Sequence, residues 1–138
     1  MNSGKDLSIK EIFIEPFQKK DIFELADIGK LCLPIYYSAF HLLEIINQKD
    51  YINRKLVIKT PTKQKYTIGL IIVKKINEHH NHIMSIAILK LFRGKLFGSR
   101  LIKYIKTLYP NSKITLYVQS VNMIANAFYK KHGFQVVK

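Results

Sequence analysis

The 138-residue sequence predicts one domain over residues 1–138, of the α/β (α+β) class, built on a sheet of mixed strand direction. The order of the predicted elements is the main reason, because strand-rich runs come first and a strand–helix–strand–helix alternation follows. The length is the second reason, since a chain of this size supplies one domain with one hydrophobic core. Hydrophobic residues make up 48% of the chain, which excludes a disordered protein.

The first half of the chain is predicted to form strands and two helices. Residues 8–16 partly alternate apolar and polar side chains, as a strand does. Residues 20–31 place apolar side chains at helical spacing, with Asp21 near the helix start. A second helix is predicted after the breaker Pro34, and two β-rich runs follow it. These last three elements cover residues 38–46, 55–59 and 66–74.

The second half alternates strands and helices. A hairpin loop over residues 77–81 leads into a strand over 82–89. Residues 98–108 carry leucine and isoleucine on one face and basic side chains on the other, which predicts an amphipathic helix. Three elements complete the chain: a strand over 114–118, a helix over 122–132 and a strand over 134–137. Asn122 is the predicted N-cap of this helix, and Gly133 ends it.

The charge is strongly basic and unevenly distributed. Lys and Arg number 23 against nine Asp and Glu, and all nine carboxylates lie in the first 78 residues. A site built from the second half alone therefore cannot use paired carboxylates or hold Mg²⁺ by aspartates. Such a half should attract a polyanion, and a phosphorylated cofactor, a nucleic acid and an acidic membrane all remain open.

Cysteine usage and hydropathy restrict the compartment and the metal chemistry. Cys32 is the sole cysteine, which excludes an internal disulfide and a cysteine-based zinc site. No apolar run reaches the ~20 residues of a membrane span, and the start of the chain does not resemble a signal peptide. The histidines at 79, 80 and 82 lack a separate Cys or carboxylate partner. We expect a cytoplasmic protein with no membrane association and no metal site.

The loop after residues 82–89 is the most informative stretch. It contains Arg93, Gly94, Lys95 and Gly98, and a helix follows at once. A helix start presents free backbone N–H groups to an anion, and glycines allow close approach, so this loop suits phosphate. An ordinary basic strand–helix turn is the alternative. Neither the Walker A pattern nor the Rossmann fingerprint is present.

A second motif follows the next predicted strand. Residues 122–134 read NMIANAFYKKHGF, and with the preceding loop they resemble the GNAT (Gcn5-related) acetyltransferases. The resemblance implies a GNAT fold: a mixed, mostly antiparallel central sheet with helices on both faces, whose strands 4 and 5 splay to admit acetyl-CoA. It also implies which residues bind the acetyl-CoA. They are Ile86, Ala87, Ile88, Arg93, Gly94, Lys95, Leu96, Phe97, Gly98, Ser99, Asn122 and Tyr129.

A narrower resemblance concerns the segments CLPIYY, IMSIAIL and ITLYVQSVN, which look like the NatE (San) type of N-terminal protein acetyltransferase. It implies acetylation of the α-amine of protein N-termini, with Met first and a hydrophobic second residue. The residues it assigns to the peptide are Leu33, Pro34, Ile35, Tyr37 and Met84. A ribosome or a NatA-like scaffold would be a further partner. The alternative for residues 32–37 is a loop that packs between two helices into the core.

Three features depart from these patterns. Leu96 replaces the first glycine of the family's R-x-x-G-x-G loop, which costs affinity if that position needs a positive φ or close phosphate approach. The NatE type carries a catalytic tyrosine on the fourth strand and a histidine on the fifth, whereas this chain has His82 and Tyr117 there. The sequence stops at Lys138, before the family's last hairpin, so we expect a truncated C-terminus or a groove open on one side.

Acetyl transfer needs a base, and no carboxylate follows Glu78. His82 is the better candidate, since a histidine pKa of about 6.5 allows it to accept a proton at neutral pH. Tyr117 would hold an ordered water, and Tyr129 would protonate or hydrogen-bond the CoA sulfur. The backbone of residues 86–88 would polarise the thioester carbonyl. The alternatives are a solvated strand-end histidine and a core tyrosine.

Other functions remain open at this stage. A domain of charge +14 could bind RNA or the ribosome surface with no chemistry, although no specific nucleic acid is expected. A GNAT enzyme could instead modify lysine or a small amine, or could be inactive because of Leu96.

Overall fold

The computed structural model describes Ile9 and residues 11–137. Five strands and four helices form in the order β1-α1-α2-β2-β3-β4-α3-β5-α4, with short 3₁₀ turns before α1 and after β4. The strands are β1 (Glu11–Pro16), β2 (Tyr51–Lys59), β3 (Lys65–Asn77), β4 (His80–Ile88) and β5 (Lys113–Leu116). The helices are α1 (Ile22–Cys32), α2 (Ala39–Ile45), α3 (Phe97–Leu108) and α4 (Met123–Lys131).

The strands form one sheet in chain order. β1 to β4 pair antiparallel with their sequence neighbours, and β5 joins β4 in parallel after the α3 crossover. The mixed, mostly antiparallel sheet is therefore confirmed.

Helices cover both faces of this sheet, as predicted. On one face, α1 and α2 pack Leu25 and Leu42 against Leu70 and Ile72 of β3. On the opposite face, α3 packs Leu101, Ile102 and Ile105 against another set of β-strand side chains, which includes Leu56, Ile58, Ile71 and Ile83. Side chains of α4 lie at the edge of this second layer. Period-two alternation along β3 supplies both layers, because successive side chains point to opposite faces.

The pairing of β4 with β5 is short, and this creates an opening. Only four residues of each strand are in register, from His80 opposite Lys113 to Ile83 opposite Leu116. β4 continues to Ile88, so its last five residues have no β5 partner and the strands splay as predicted. Where β4 leaves β5, Met84 of β4 has no partner on β3, because Ile83 and Ser85 lie opposite two consecutive residues of β3. Met84 therefore forms a β-bulge. The opening exposes backbone groups on the edge of β4.

Some predicted boundaries are wrong. The strand predicted over 134–137 does not form in the described residues, because no neighbouring strand offers it a ladder and Phe134 packs against Tyr129 instead. β2 begins at Tyr51 rather than at 55, and β3 and β4 extend to a turn shorter than the predicted loop over 77–81. For the strand predicted over 8–16, residues 8 and 10 lie outside the described residues, as does Lys138. None of the helices in the described residues is long and apolar enough to span a membrane.

Candidate active site

The loop between β4 and α3 is bound to the end of β4. The Arg93 side chain donates from Nε to the Ile88 carbonyl oxygen at 2.9 Å, which fixes the start of the loop. Gly94 has a φ of +78°, and a Cβ added there would meet no atom within 4 Å. The loop therefore turns through a left-handed residue that faces open space, next to the free N–H groups of the first turn of α3.

Leu96 is the residue immediately before α3, and it also adopts the left-handed conformation, with a φ of +67°. The side chain is 63% exposed and therefore gains little from packing. A left-handed backbone costs a non-glycine residue about 1–2 kcal/mol. The positive φ that favours glycine at this position of the family loop is thus present, with leucine occupying it.

Replacing Leu96 tests this conformation. We expect Leu96→Gly to raise the free energy of unfolding by up to about 1 kcal/mol, because relief of strain exceeds the entropy that glycine loses on folding. Lys63, the other left-handed non-glycine residue described, provides a matched control in Lys63→Gly. Urea unfolding of both variants measures the stability, and calorimetric titration with acetyl-CoA measures the affinity, which should rise for Leu96→Gly alone. A lower stability of Leu96→Gly would contradict the assignment of strain.

The first turn of α3 contacts α4 closely. A Cβ at Gly98 would lie 3.0 Å from Cζ of Phe128, so the absence of a side chain lets α4 approach. Ser99 is buried, and its Oγ lies 2.8 Å from Nε2 of His132 at the end of α4. Burial lowers the pKa of His132, and the positive charge of Lys106 adds to the effect. These contacts place α4 beside the loop.

Tyr129 lies on α4 between two aromatic rings, those of Phe128 and Phe134. Burial raises the pKa of Tyr129 to about 12, so its phenol keeps its proton at neutral pH. Asn122 caps the same helix, because its side chain accepts a hydrogen bond from the Ala125 N–H at 3.1 Å. Asn122 thus has a structural role that the sequence already indicated.

His82 lies beside the divergence of β4 and β5. It is buried, and its Nδ1 lies 2.7 Å from Oγ1 of Thr115 on β5. The rings of His82 and Tyr117 have centroids 4.6 Å apart, although Tyr117 itself is 91% exposed. Burial lowers the pKa of His82, with a smaller contribution from His80. The neutral, proton-accepting form is therefore favoured at neutral pH.

The loop between α1 and α2 reaches β4 as well. The Cys32 thiol lies 3.5 Å from the carbonyl oxygen of Ile88, which also accepts from Arg93. Leu33 and Tyr37 point inward and line a cavity of about 10 Å³ together with Ser85 of β4. Pro34, Ile35 and Tyr36 of the same segment are exposed, and Met84 of β4 is also exposed.

The structure places His82 and Met84 on β4 and Tyr129 on α4, beside the first turn of α3. It adds two residues that the sequence patterns did not indicate. They are Thr115, which no sequence motif includes, and His80, which the sequence pattern groups only with the neighbouring histidines as a possible metal ligand.

His80 and His82 share a face of β4, and both rings contact Thr115 of β5. Tyr117 lies just beyond β5, which ends at Leu116 rather than at the predicted residue 118, and its ring lies against that of His82. The parallel register that brings these side chains together was the missing information.

The open edge of β4, with a left-handed loop and a helix start at its end, is the arrangement that the resemblance implies for an acyltransferase that binds a CoA thioester. The family comparison agrees: the model of the acetyltransferase (GNAT) family matches residues 22–134. The chain belongs to this family. It is an N-acetyltransferase, and acetyl-CoA is its cosubstrate, as the sequence predicted.

Several solved structures are similar to the chain. Ard1 from Thermoplasma volcanium is 25% identical, with 92% of this chain and 84% of that chain covered and a TM-score of 0.76. Arabidopsis thaliana Naa50, in complex with the bisubstrate analogue CoA-Ac-MVNAL, is 20% identical over 94% and 86% of the chains, with a TM-score of 0.74. An aminoglycoside 6'-N-acetyltransferase from Acinetobacter baumannii is 17% identical over 93% of each chain, with a TM-score of 0.70. No curated protein matches by sequence.

Proposed function

We propose that this acetyltransferase acts on the α-amine of protein N-termini, with Met first and a hydrophobic second residue preferred. One observation carries the proposal, namely that two groups approach the Ile88 carbonyl oxygen. One is Cys32, the last residue of α1, after which the α1–α2 loop begins; the other is Arg93, in the loop between β4 and α3, here called the cofactor loop. An acceptor held by the first loop would therefore lie next to the strand that we assign to acetyl-CoA. The Naa50 complex, whose analogue joins CoA to a peptide beginning Met-Val, supports such an arrangement for this fold.

Ile35 is the residue we assign to the hydrophobic contact with the peptide. Its side chain is 82% exposed in the loop, where a free apolar group gains most from contact with another. Leu33 and Tyr37 would support the loop from beneath, since both line the small cavity against β4. Pro34 would restrict the backbone between them, and Met84, on its bulge, would face the peptide.

Acetyl-CoA supplies the activated acetyl group, and this chain's residues would bind it and move the proton. The N–H groups at the start of α3, with Arg93 and Lys95, would hold its phosphates. The nitrogen of the α-amine would attack the thioester carbon, and His82 would accept the proton that this amine loses. Tyr117 would hold an ordered water. The C–S bond then breaks and the electron pair leaves on the CoA sulfur.

Tyr129 would stabilise that sulfur by a hydrogen bond rather than by giving up its proton. Its pKa of about 12 lies far above the value of about 8.5 that is typical of a thiol. Full transfer of the proton from the phenol to the thiolate would therefore be uphill by about 5 kcal/mol. A neutral phenol donating to a developing thiolate is the more favourable arrangement.

A lysine or a small polar amine is the second candidate acceptor, because the aminoglycoside acetyltransferase shares the fold. Recognition of a polycationic amine needs several carboxylates near the acceptor site. No carboxylate follows Glu78, so β4, β5 and the cofactor loop offer none. The hydrophobic exposed loop favours the peptide.

A panel of acceptors tests the proposal. We expect acetylation of a free Met-Leu peptide, and none of an N-terminally blocked peptide with an internal lysine or of an aminoglycoside. Ile35→Asp should raise the peptide KM by about ten- to a hundredfold, because 1.5–3 kcal/mol of apolar contact is lost. Phe23→Asp, at an equally exposed residue of α1, should leave KM unchanged. Preferential acetylation of the lysine peptide or the aminoglycoside would overturn the proposal.

We also infer that the enzyme works in the cytoplasm, where nascent N-termini are made, close to the ribosome or on a NatA-like scaffold. The outer face of α3 supports this inference, since Arg100, Lys103 and Lys106 are all exposed there. Such a basic face suits association with a polyanion such as ribosomal RNA. Salt-sensitive cosedimentation with ribosomes would test this association.

A further inference from the structure

The two histidines of β4 share a single hydroxyl group. His80 Nε2 and His82 Nδ1 each lie 2.7 Å from Oγ1 of Thr115. A threonine hydroxyl carries one hydrogen, so it can donate to one of these nitrogens only. For both contacts to be hydrogen bonds, at least one imidazole must therefore present an N–H to Thr115. The position of the proton on one ring then restricts its position on the other.

The atom that faces Thr115 matters for the chemistry of His82. Nδ1 is occupied by this contact, whereas Nε2 makes no hydrogen bond to the described part of the protein. A neutral imidazole carries one hydrogen, and only the ring that keeps it on Nδ1 offers Nε2 as a base. The opposite tautomer would present an N–H to the substrate amine and could not accept its proton.

The surroundings favour one direction of the chain of hydrogen bonds. His82 is 9% exposed, while His80 is only partly buried and can turn its remaining N–H to water. The Tyr117 ring, 4.6 Å from the His82 ring, also restricts rotation that would exchange the two sides of the imidazole. His82 Nδ1–H then donates to Thr115, and the Thr115 hydroxyl donates to His80 Nε2.

We propose that Thr115 and His80 are positioning residues that hold His82 in its Nδ1–H tautomer, so that Nε2 is free to accept a proton. The proposal deepens the proposed function and rests on it for the identity of the proton donor. The tautomer itself is a property of the free protein, which allows the two proposals to be tested separately.

Nitrogen-15 NMR of the imidazole rings reads the tautomer directly, without substrate. We expect the wild-type His82 to be the Nδ1–H form at pH 8, and Thr115→Val to shift it towards the Nε2–H form. Thr115→Ser, which retains the hydroxyl, should restore the wild-type spectrum. His80→Phe should also lower the Nδ1–H fraction, whereas His79→Phe, at an exposed neighbouring histidine, should not. A wild-type Nε2–H form, or a Thr115→Val spectrum identical to wild type, would overturn the proposal.

Kinetics supply the second readout. We expect Thr115→Val to lower kcat at least about tenfold, with the peptide KM and acetyl-CoA affinity little changed and with recovery in Thr115→Ser. A thermal unfolding curve close to wild type shows that the variant is folded, and the serine variant covers the case in which valine destabilises. An Nδ1–H tautomer in a wild type that acetylates no N-terminus would overturn the proposed function and leave the tautomer assignment standing. A fall in kcat without rescue by serine would overturn the positioning role.

Discussion

His82→Ala is expected to lower kcat by about a hundredfold or more, because it removes the group that we assign as general base. His82 is buried beside the divergence of β4 and β5, where the acetyl group and the amine would meet. The cofactor loop begins after Ile88, six residues further along the chain, so the variant should bind acetyl-CoA with wild-type affinity. Stopped-flow assays with a Met-Leu peptide measure kcat, and calorimetry measures the binding of acetyl-CoA.

The pH profile of the wild type gives an independent check. Burial lowers the pKa of His82, so its neutral form persists to a pH below the ordinary histidine value of about 6.5. With saturating peptide, kcat should therefore stay constant around neutral pH and fall only as the pH drops through this lowered pKa. The slow residual activity of His82→Ala should lack this inflection. An unchanged kcat in His82→Ala would remove His82 from the mechanism.

Much of the fold could be predicted because local patterns carry it. The amphipathic spacing of residues 98–108 corresponds to α3, and the predicted apolar runs correspond to β3 and β4, two inner strands of the sheet. The beginning of β2 escaped prediction because Asn53 is polar yet buried, its side chain donating to the Ile45 carbonyl oxygen. Residues 134–137 have strand-like composition, but a strand also needs a partner, and composition does not report whether one is available.

The part of the candidate site that the sequence motifs cover, the β4–α3 loop and α4, could be predicted. The residues of the β4–α3 loop and of α4 lie next to each other, and Gly98 allows the contact with Phe128. The left-handed backbone of Leu96 could not be foreseen, since leucine disfavours it and only the surrounding turn imposes it. The contact of Thr115 with two histidines depends on a parallel register between strands more than thirty residues apart in sequence. Pairings at that separation are set by the whole fold rather than by local sequence.

The second large effect is expected where Asp21, at the start of α1, and Lys55 of β2 form a buried ion pair. Their Oδ2 and Nζ atoms lie 3.0 Å apart, and the side chains are 9% and 11% exposed. Asp21 also accepts from the Gln18 N–H at 2.8 Å, which holds the turn that starts α1. Asp21→Ala would leave the Lys55 ammonium buried with only Glu15, 3.9 Å away and more exposed, as a partner. We expect a loss of about 3–5 kcal/mol in the free energy of unfolding.

A comparison within the same sheet separates burial from charge. Lys59 and Glu11 form a similar pair at 3.7 Å, four residues further along β2, but the side chains are 27% and 47% exposed. Because water screens an exposed pair, Glu11→Ala should cost less than about 1 kcal/mol. Urea unfolding of both variants at pH 7 makes the comparison. Equal losses would show that water reaches Lys55 in spite of its burial. A large loss confined to Asp21→Ala would mean that one of the chain's few carboxylates serves to neutralise a buried lysine at the start of α1, the helix that precedes the proposed peptide loop.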